Sequence, residues 1–231
     1  MAAQYQSCNN VCMKLESDGI LIGLRPFNER DVVARIFTRD YGLMVGVMRG
    51  GAAAKKNRPL IGQCGNAVWN ARLDSMLGAF HWEIDRNLSV PLMGNVVALN
   101  YMNAAFDLLG TLLPEREKYE RLYINTMDML SGLGVDADGA YLDWEIALLR
   151  ELGYALDLTS CSGCGVRDSL NYLSPRTGRA VCDTCAGPYL NRLYKLPLNL
   201  NTTLCFIEGI CVQQGVDVPL MRKMIKKSKI V

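Results

Sequence analysis

Between residues 161 and 185 the chain reads CSGCGVRDSLNYLSPRTGRAVCDTC, two C-x2-C pairs with seventeen residues between Cys164 and Cys182. Two such pairs supply four thiolates, Cys161, Cys164, Cys182 and Cys185, which complete a tetrahedron around one Zn²⁺ and leave no position for water. A site of that kind is structural rather than catalytic. It also forces the intervening chain to fold back on itself, so Asn171 to Leu173 and Arg179 to Val181 are expected as short strands around the turn Ser174-Pro175-Arg176-Thr177-Gly178. The result is a zinc-ribbon-like insertion at about 158–188. A thioredoxin-like redox role lacks the βαβ context it needs around either pair. The other five of the nine cysteines, Cys8, Cys12, Cys64, Cys205 and Cys211, are scattered and read as buried small hydrophobes. For Cys8 and Cys12 nothing nearby completes a set of four.

On either side of about Asp85 the hydrophobic pattern changes period. Before it, short β-rich runs at about 19–25, 31–38, 42–49, 65–72 and 77–84 are punctuated by Gly, Pro, Asn and Asp. Five short strands in this length suit a small closed barrel, with the OB-fold and the SH3-like barrel both compatible. After Pro91 the period is helical. Val96, Leu99, Met102, Phe106, Leu109 and Leu113 share one face of a helix that must stop near Pro114. Tyr119 to Leu130 and Leu142 to Leu152 give two more, closed by Ser131-Gly132 and Gly153. Further helices are expected near Leu198 to Gln213 and from Val218 into the terminal lysines. The reading is an α+β protein with residues 1–85 as a barrel and 86–231 as a helical domain carrying the ribbon.

A net charge of +2 conceals a segregation. Residues 1–85 carry ten basic and eight acidic groups, residues 86–218 ten and fifteen, and residues 219–231 five and none. Within the first region Arg49, Lys55, Lys56, Arg58 and Arg72 occur with no Asp or Glu between Tyr41 and Leu73. An OB barrel binds single strands by tracking phosphates along a basic groove while aromatic or apolar groups support bases, and this run, with Trp69 inside it, has that composition. Arg25, Arg39 and the tail residues Lys223, Lys226, Lys227 and Lys229 are candidates to extend the track. Trp69 itself suits a core position better than a stacking one. In the tail, Leu220, Met221, Met224 and Ile225 form an apolar stripe at helical spacing, with Arg222 and the lysines expected to point away from it.

Catalytic patterns are sparse. The single histidine, His81, lies in a strand-like run and reads as a core or surface imidazole. Gly50-Gly51-Ala52-Ala53-Ala54-Lys55-Lys56 lacks the second glycine and the Ser/Thr of a phosphate-binding loop. A metal-dependent nuclease would need clustered carboxylates, and no compact D-x-D set stands out; a module binding only protein partners is the other alternative. No enzymatic turnover is expected. The N-terminus has neither a basic nor an apolar signal region, and no stretch of eighteen residues escapes polar interruption, so a soluble, cytoplasmic protein is expected.

The stretches GILIGLRPFNERDVVARIFTRDYGLMVGVMRGG and GNAVWNARLDSMLGAF, followed by LLRELGYALDLTSCSGCG, YLSPRTGRAV and LYKLPLNL, occur in an order that resembles the RecO family of bacterial recombination mediators. The likeness spans roughly Gly19 to Lys226. It implies an OB-fold for the barrel and a helical second domain with a zinc-ribbon-like insertion. It further implies a role in DNA repair: binding of single- and double-stranded DNA, annealing of complementary strands, and partnership with RecR and single-strand binding protein in loading RecA. Membership alone does not imply zinc; the four cysteines do.

Overall fold

The computed structural model describes residues 13–52, 58–72, 77–154 and 156–227, with the side chains of Lys226 and Lys227 left out. Lys55, Lys56 and Lys229 lie outside the described residues, as do Cys8 and Cys12. The chain divides into two compact units: residues 1–89 with 114–118, and residues 90–113 with 119–231.

In the first unit five strands, β1 (Met13–Pro26), β2 (Val32–Thr38), β3 (Gly42–Met48), β4 (Gln63–Ala71) and β5 (Gly78–Asn87), form a closed barrel in the order β1-β2-β3-β5-β4. This is the OB-fold topology, which decides against the SH3-like alternative. The long β1 serves two neighbours. Its first half pairs with β4 from Met13↔Ala71 to Ile20↔Cys64, and its second with β2 from Gly19↔Thr38 to Pro26↔Val32, across an irregularity between Leu21 and Gly23. A parallel contact, Gly46↔Gly78 to Met48↔Phe80, closes the barrel.

Inward residues of alternate positions fill the barrel: Leu21, Ala34, Ile36, Met44, Ala67, Trp69 and Phe80 are all buried. Trp69, only 2 % exposed, belongs to this core, as its sequence context suggested. Its indole Nε1–H donates to the Val45 carbonyl at 3.0 Å, and the Arg116 guanidinium lies 5.2 Å from its ring centroid. Gly78 is required beneath it, because a Cβ there would stand 2.2 Å from the indole ring.

The second unit opens with a 3₁₀ turn at Val90–Leu92, then α1 (Val96–Leu112), α2 (Glu120–Gly132) and α3 (Ala137–Glu151). Asn95 caps α1 by accepting from the Ala98 N–H, and Asp136 caps α3 by accepting from that of Gly139. The ribbon follows, with β6 (Tyr172–Leu173), β7 (Ala180–Val181), a short α4 (Asp183–Ala186), a 3₁₀ helix at Gly187–Arg192 and β8 (Tyr194–Lys195), its sheet ordered β7-β6-β8. The last helices are α5 (Leu200–Gln214), stopped by Gly215 at φ 67°, and α6 (Leu220–Lys227). None of the helices among the described residues is long and apolar enough to cross a membrane.

Helix α6 corrects one expectation. Leu220 and Met224 are 70 % and 50 % exposed, whereas Arg222 is fully buried beside Val218 and Ile225. The reason lies on α3, where Glu145 is also fully buried and requires a cation. Arg222 meets it through Nε and through Nη2, the latter at 2.9 Å, and Nη2 also donates to the Leu200 carbonyl at 2.6 Å. The Thr203 hydroxyl donates to the same carboxylate at 2.5 Å. Tyr141 flanks the guanidinium at 5.9 Å and stacks on Tyr101 with centroids 4.6 Å apart. Burial alone would push the Arg222 pKa down, but the charge and hydrogen bonds of Glu145 hold it above the usual arginine value. The buried side of α6 is therefore Arg222 and Ile225, with Val218 just before the helix, and not the apolar stripe alone.

Replacing Arg222 with Met leaves Glu145 buried and unpaired, so a loss of about 3–5 kcal/mol in the stability of this unit is expected, against a much smaller loss for Glu145→Leu combined with Arg222→Met. Urea unfolding followed by circular dichroism checks this; equal losses in the two variants would show that the pairing is energetically idle.

Candidate nucleic-acid interface and candidate metal centre

On the barrel, the β1–β2 and β3–β4 connections are tied together. The Asp31 carboxylate accepts from the Gly50 N–H at 2.8 Å and from the Asn28 side chain at 2.9 Å, and the Ala52 N–H donates to the Arg30 carbonyl at 2.9 Å. These bonds fix Arg49, directly after β3, relative to Arg25 near the end of β1. A third segment is held by Gln63, whose buried side chain accepts from the Leu60 N–H at 3.0 Å and donates to the Arg58 carbonyl at 3.3 Å.

Two clefts result, and Arg58 lines both. In the larger, of about 780 Å³, Arg49 and Arg58 face Phe80, His81 and Trp82 on β5. In the smaller, of about 350 Å³, Arg25 and Arg58 stand beside Pro26, Pro59 and Leu60. All three arginines are exposed. The one acid lining the larger cleft, Glu83, already lies 3.1 Å from the His81 ring. Thus the fold brings Arg25, Arg49 and Arg58 together, while Arg39 and Arg72 are exposed but line neither cleft. His81 is a surface imidazole, its side chain 70 % exposed.

Trp82 is the residue that sequence reasoning missed. It packs partly against the barrel core, lines the larger cleft and leaves its indole Nε1–H without a partner. The signal was present, since β5 alternates and Trp82 is two residues from the buried Phe80, but nothing in the sequence said which cleft its half-buried edge would meet. Phe27, two residues beyond Arg25, is a 56 % exposed aromatic ring but lines neither cleft. In the tail Lys223 is exposed, whereas the side chains of Lys226 and Lys227 lie outside the description.

The second site lies in the ribbon. The four sulfurs of Cys161, Cys164, Cys182 and Cys185 lie within 4.8 Å of one another, a spacing compatible with one shared metal ion. At the first C-x2-C the chain turns sharply: the Gly165 N–H donates to the Cys161 carbonyl at 2.9 Å, with Gly165 at φ 79°, where an L side chain would be strained. The turn aims backbone N–H groups at sulfur, from Gly163 at 3.4 Å and from Cys182 at 3.3 Å. Donation from the Cys182 and Cys164 backbone pulls the Cys161 thiol down to about 6, so that this sulfur is readily a thiolate. Hydrogen bonding from the Cys164, Cys182 and Cys161 sulfurs pushes Cys185 up to about 12, because protons remain shared in a crowded cluster. A divalent cation would take the place of those protons. Among the described residues this is the only group of three or more Cys, His, Asp or Glu side chains placed to hold one ion.

A five-stranded OB barrel with a cationic cleft, followed by a helical unit with a four-cysteine ribbon, defines the class of protein. The chain belongs to the RecO family: Recombination protein O N terminal matches residues 13–83, and Recombination protein O C terminal matches residues 93–216. Relatives named DNA repair protein RecO include one from Jannaschia sp., 40 % identical over 190 residues that cover 81 % of this chain and 77 % of the relative. Those from Dinoroseobacter shibae and Roseobacter denitrificans are each also 40 % identical, covering 78 % and 80 % of this chain and 76 % and 78 % of theirs.

The Asp31 tether titrates. The Gly50 N–H, then the Asn28 side chain, hold its carboxyl below the usual aspartate value. With the folded pKa depressed, the tether is complete above about pH 3.9 and is lost as pH falls through the folded value. The Gly50 amide resonance is expected to follow this titration below the ordinary aspartate range; a midpoint at the ordinary value would mean that the bond is not made.

Proposed function

We propose that this protein is a recombination mediator in DNA repair that holds single- and double-stranded DNA by its backbone, anneals complementary strands and acts with RecR and single-strand binding protein to load RecA in the cytoplasm. Family membership supports the mediator role, and the convergence of Arg25, Arg49 and Arg58 on two adjoining clefts that share Arg58, the larger of them lined by Trp82, carries the DNA-binding reading. Guanidinium groups take phosphate oxygens in pairs without reading sequence. The indole edge of Trp82 and the ring of Phe27 supply surfaces for unstacked bases. Arg39, Arg72 and Lys223 are outlying phosphate contacts in this reading, and Lys55, Lys56, Lys226 and Lys227 add charge from outside the described side chains.

Annealing needs no general acid, base or nucleophile. Two strands repel through their phosphates, and a cationic surface that neutralises some of that charge lets pairing proceed downhill. The ribbon holds one structural Zn²⁺ through Cys161, Cys164, Cys182 and Cys185. Zinc, when bound, joins the two C-x2-C turns; the chain's part is to present four sulfurs and to direct N–H groups at them.

Two measurements test this reading. Substituting Arg25, Arg49 and Arg58 together with Ala is expected to flatten the log–log salt dependence of single-strand binding by about 2, for three phosphates at about 0.7 each. Trp82→Ala should weaken binding with the salt slope unchanged. Unaltered affinity and slope in the triple variant would remove the barrel from the interface. Elemental analysis of protein purified without chelator should give one zinc per chain, and chelation should lower the melting temperature; metal-free protein with the same melting temperature would exclude a structural ion.

A further inference from the structure

The ribbon carries a second cationic cleft, of about 470 Å³, on the flank of the cysteine cluster. Arg176, Thr177, Tyr189 and Arg192 line it, with Cys185 at its edge. Arg176 sits on the β6–β7 turn, which is closed by the Gly178 N–H donating to the Ser174 carbonyl at 2.9 Å and by the Ser174 N–H donating to that of Arg179 at 3.0 Å. Tyr189 and Arg192 belong to the 3₁₀ helix at Gly187–Arg192. With three residues per turn, positions i and i+3 eclipse, so these two side chains leave the helix on one edge.

Charge and exposure set this cleft apart from an ordinary surface. No acidic residue lines it. Nearby acids are engaged elsewhere: the Asp183 carboxylate accepts from the Asn171 side chain at 2.9 and 3.0 Å, and Asp157 lies 3.5 Å from Arg179. Both Arg176 and Arg192 are exposed. Tyr189 is 55 % exposed and is absent from the hydrophobic cluster that Leu170, Tyr172 and Leu193 support around the cysteines. An aromatic ring that does not serve the core and lines one cleft with two arginines matches the chemistry of single-strand binding, where cations track phosphates and a flat ring stacks on a base.

We propose that this cleft is a second contact for single-stranded DNA, with Arg176 and Arg192 on phosphates and Tyr189 stacked on a base. The proposal rests on the DNA-binding reading above but not on the barrel clefts. One competing role exists for the arginines: four thiolates around a divalent ion carry a net negative charge, which two guanidinium groups would offset. That role leaves the exposed ring of Tyr189 without a purpose.

The test uses the full-length, zinc-replete protein and a fluorescent oligo-dT, with anisotropy measured across a salt series. Arg176→Ala with Arg192→Ala should flatten the log–log salt slope by about 1.4, for two phosphates at about 0.7 each. Tyr189→Ala should weaken binding about 5- to 100-fold at an unchanged slope, and Tyr189→Phe should restore it. Zinc content and melting temperature are recorded for every variant. A double-arginine variant that binds oligo-dT as the parent does, while losing zinc or melting earlier, would overturn the proposal in favour of charge compensation at the metal centre. Unchanged oligo-dT binding with lost affinity for polyglutamate would overturn it in favour of an acidic polypeptide. The barrel variant is run alongside: weakened binding in the ribbon variants with none in the barrel variant rejects the barrel reading and keeps this one, and the reverse result does the opposite.

Discussion

Closure of the barrel rests on a short parallel contact between β3 and β5, at Gly46↔Gly78 through Met48↔Phe80. Every other pairing in the barrel is antiparallel and runs over a longer stretch. This one joins segments more than thirty residues apart in sequence and carries few bonds, so it depends on packing. Trp69 provides that packing by lying on the space left by Gly78 and by donating to the Val45 carbonyl. The functional consequence is direct. Arg49 is the residue after β3 ends, and Trp82 is two residues beyond Phe80 on β5, so the register that closes the barrel also sets a cation opposite an aromatic edge.

In the helical unit a comparable choice is made by charge. A buried ion pair is weak evidence for stability, since desolvating two charges offsets much of their attraction. What Glu145 and Arg222 add is selection among packings. Helix α6 has two candidate inward faces, an apolar one with Leu220 and Met224 and one carrying Arg222 with Ile225. Burying the first would desolvate no charge on α6 but would strand Glu145. The Thr203 hydroxyl donates to Glu145 and the Leu200 carbonyl accepts from Arg222, which ties α3, α5 and α6 at one point.

That choice marks where the sequence ceased to be legible. The five strands and the main helices were readable because each follows a single local rule, alternation or a 3.6-residue stripe ended by Gly or Pro. The ribbon was readable because metal ligation fixes spacing. β8 and the 3₁₀ helix at Gly187–Arg192 were not, being too short to show a period and held by tertiary pairing with β6 and by the cysteine turn. The inward Arg222 was hidden because its partner lies on another helix, 77 residues away in sequence. Trp69 was legible as core, whereas the place of Trp82 on a cleft wall depends on the closure of the barrel. Of the cations picked out by composition, Arg25, Arg49 and Arg58 share clefts, whereas Arg39 and Arg72 are set apart by the same strand order.

The cations that line the described barrel and ribbon clefts are all arginines, and the lysines of the basic regions lie mainly in 55–56 and the tail. This division has a physical sense. A guanidinium is planar, presents paired donors to a phosphate and stacks on bases and aromatic rings, so it profits from a fixed position on a turn tethered by Asp31 or Gln63. An ammonium is a hydrated point charge that attracts phosphate from any direction and gains little from being held. In the proposed annealing role, a few anchored guanidinium groups would serve position and the lysines capture, while the duplex remains free to form. Because neither contact would read a base edge, complementarity between the strands themselves would remain the source of sequence specificity in that role.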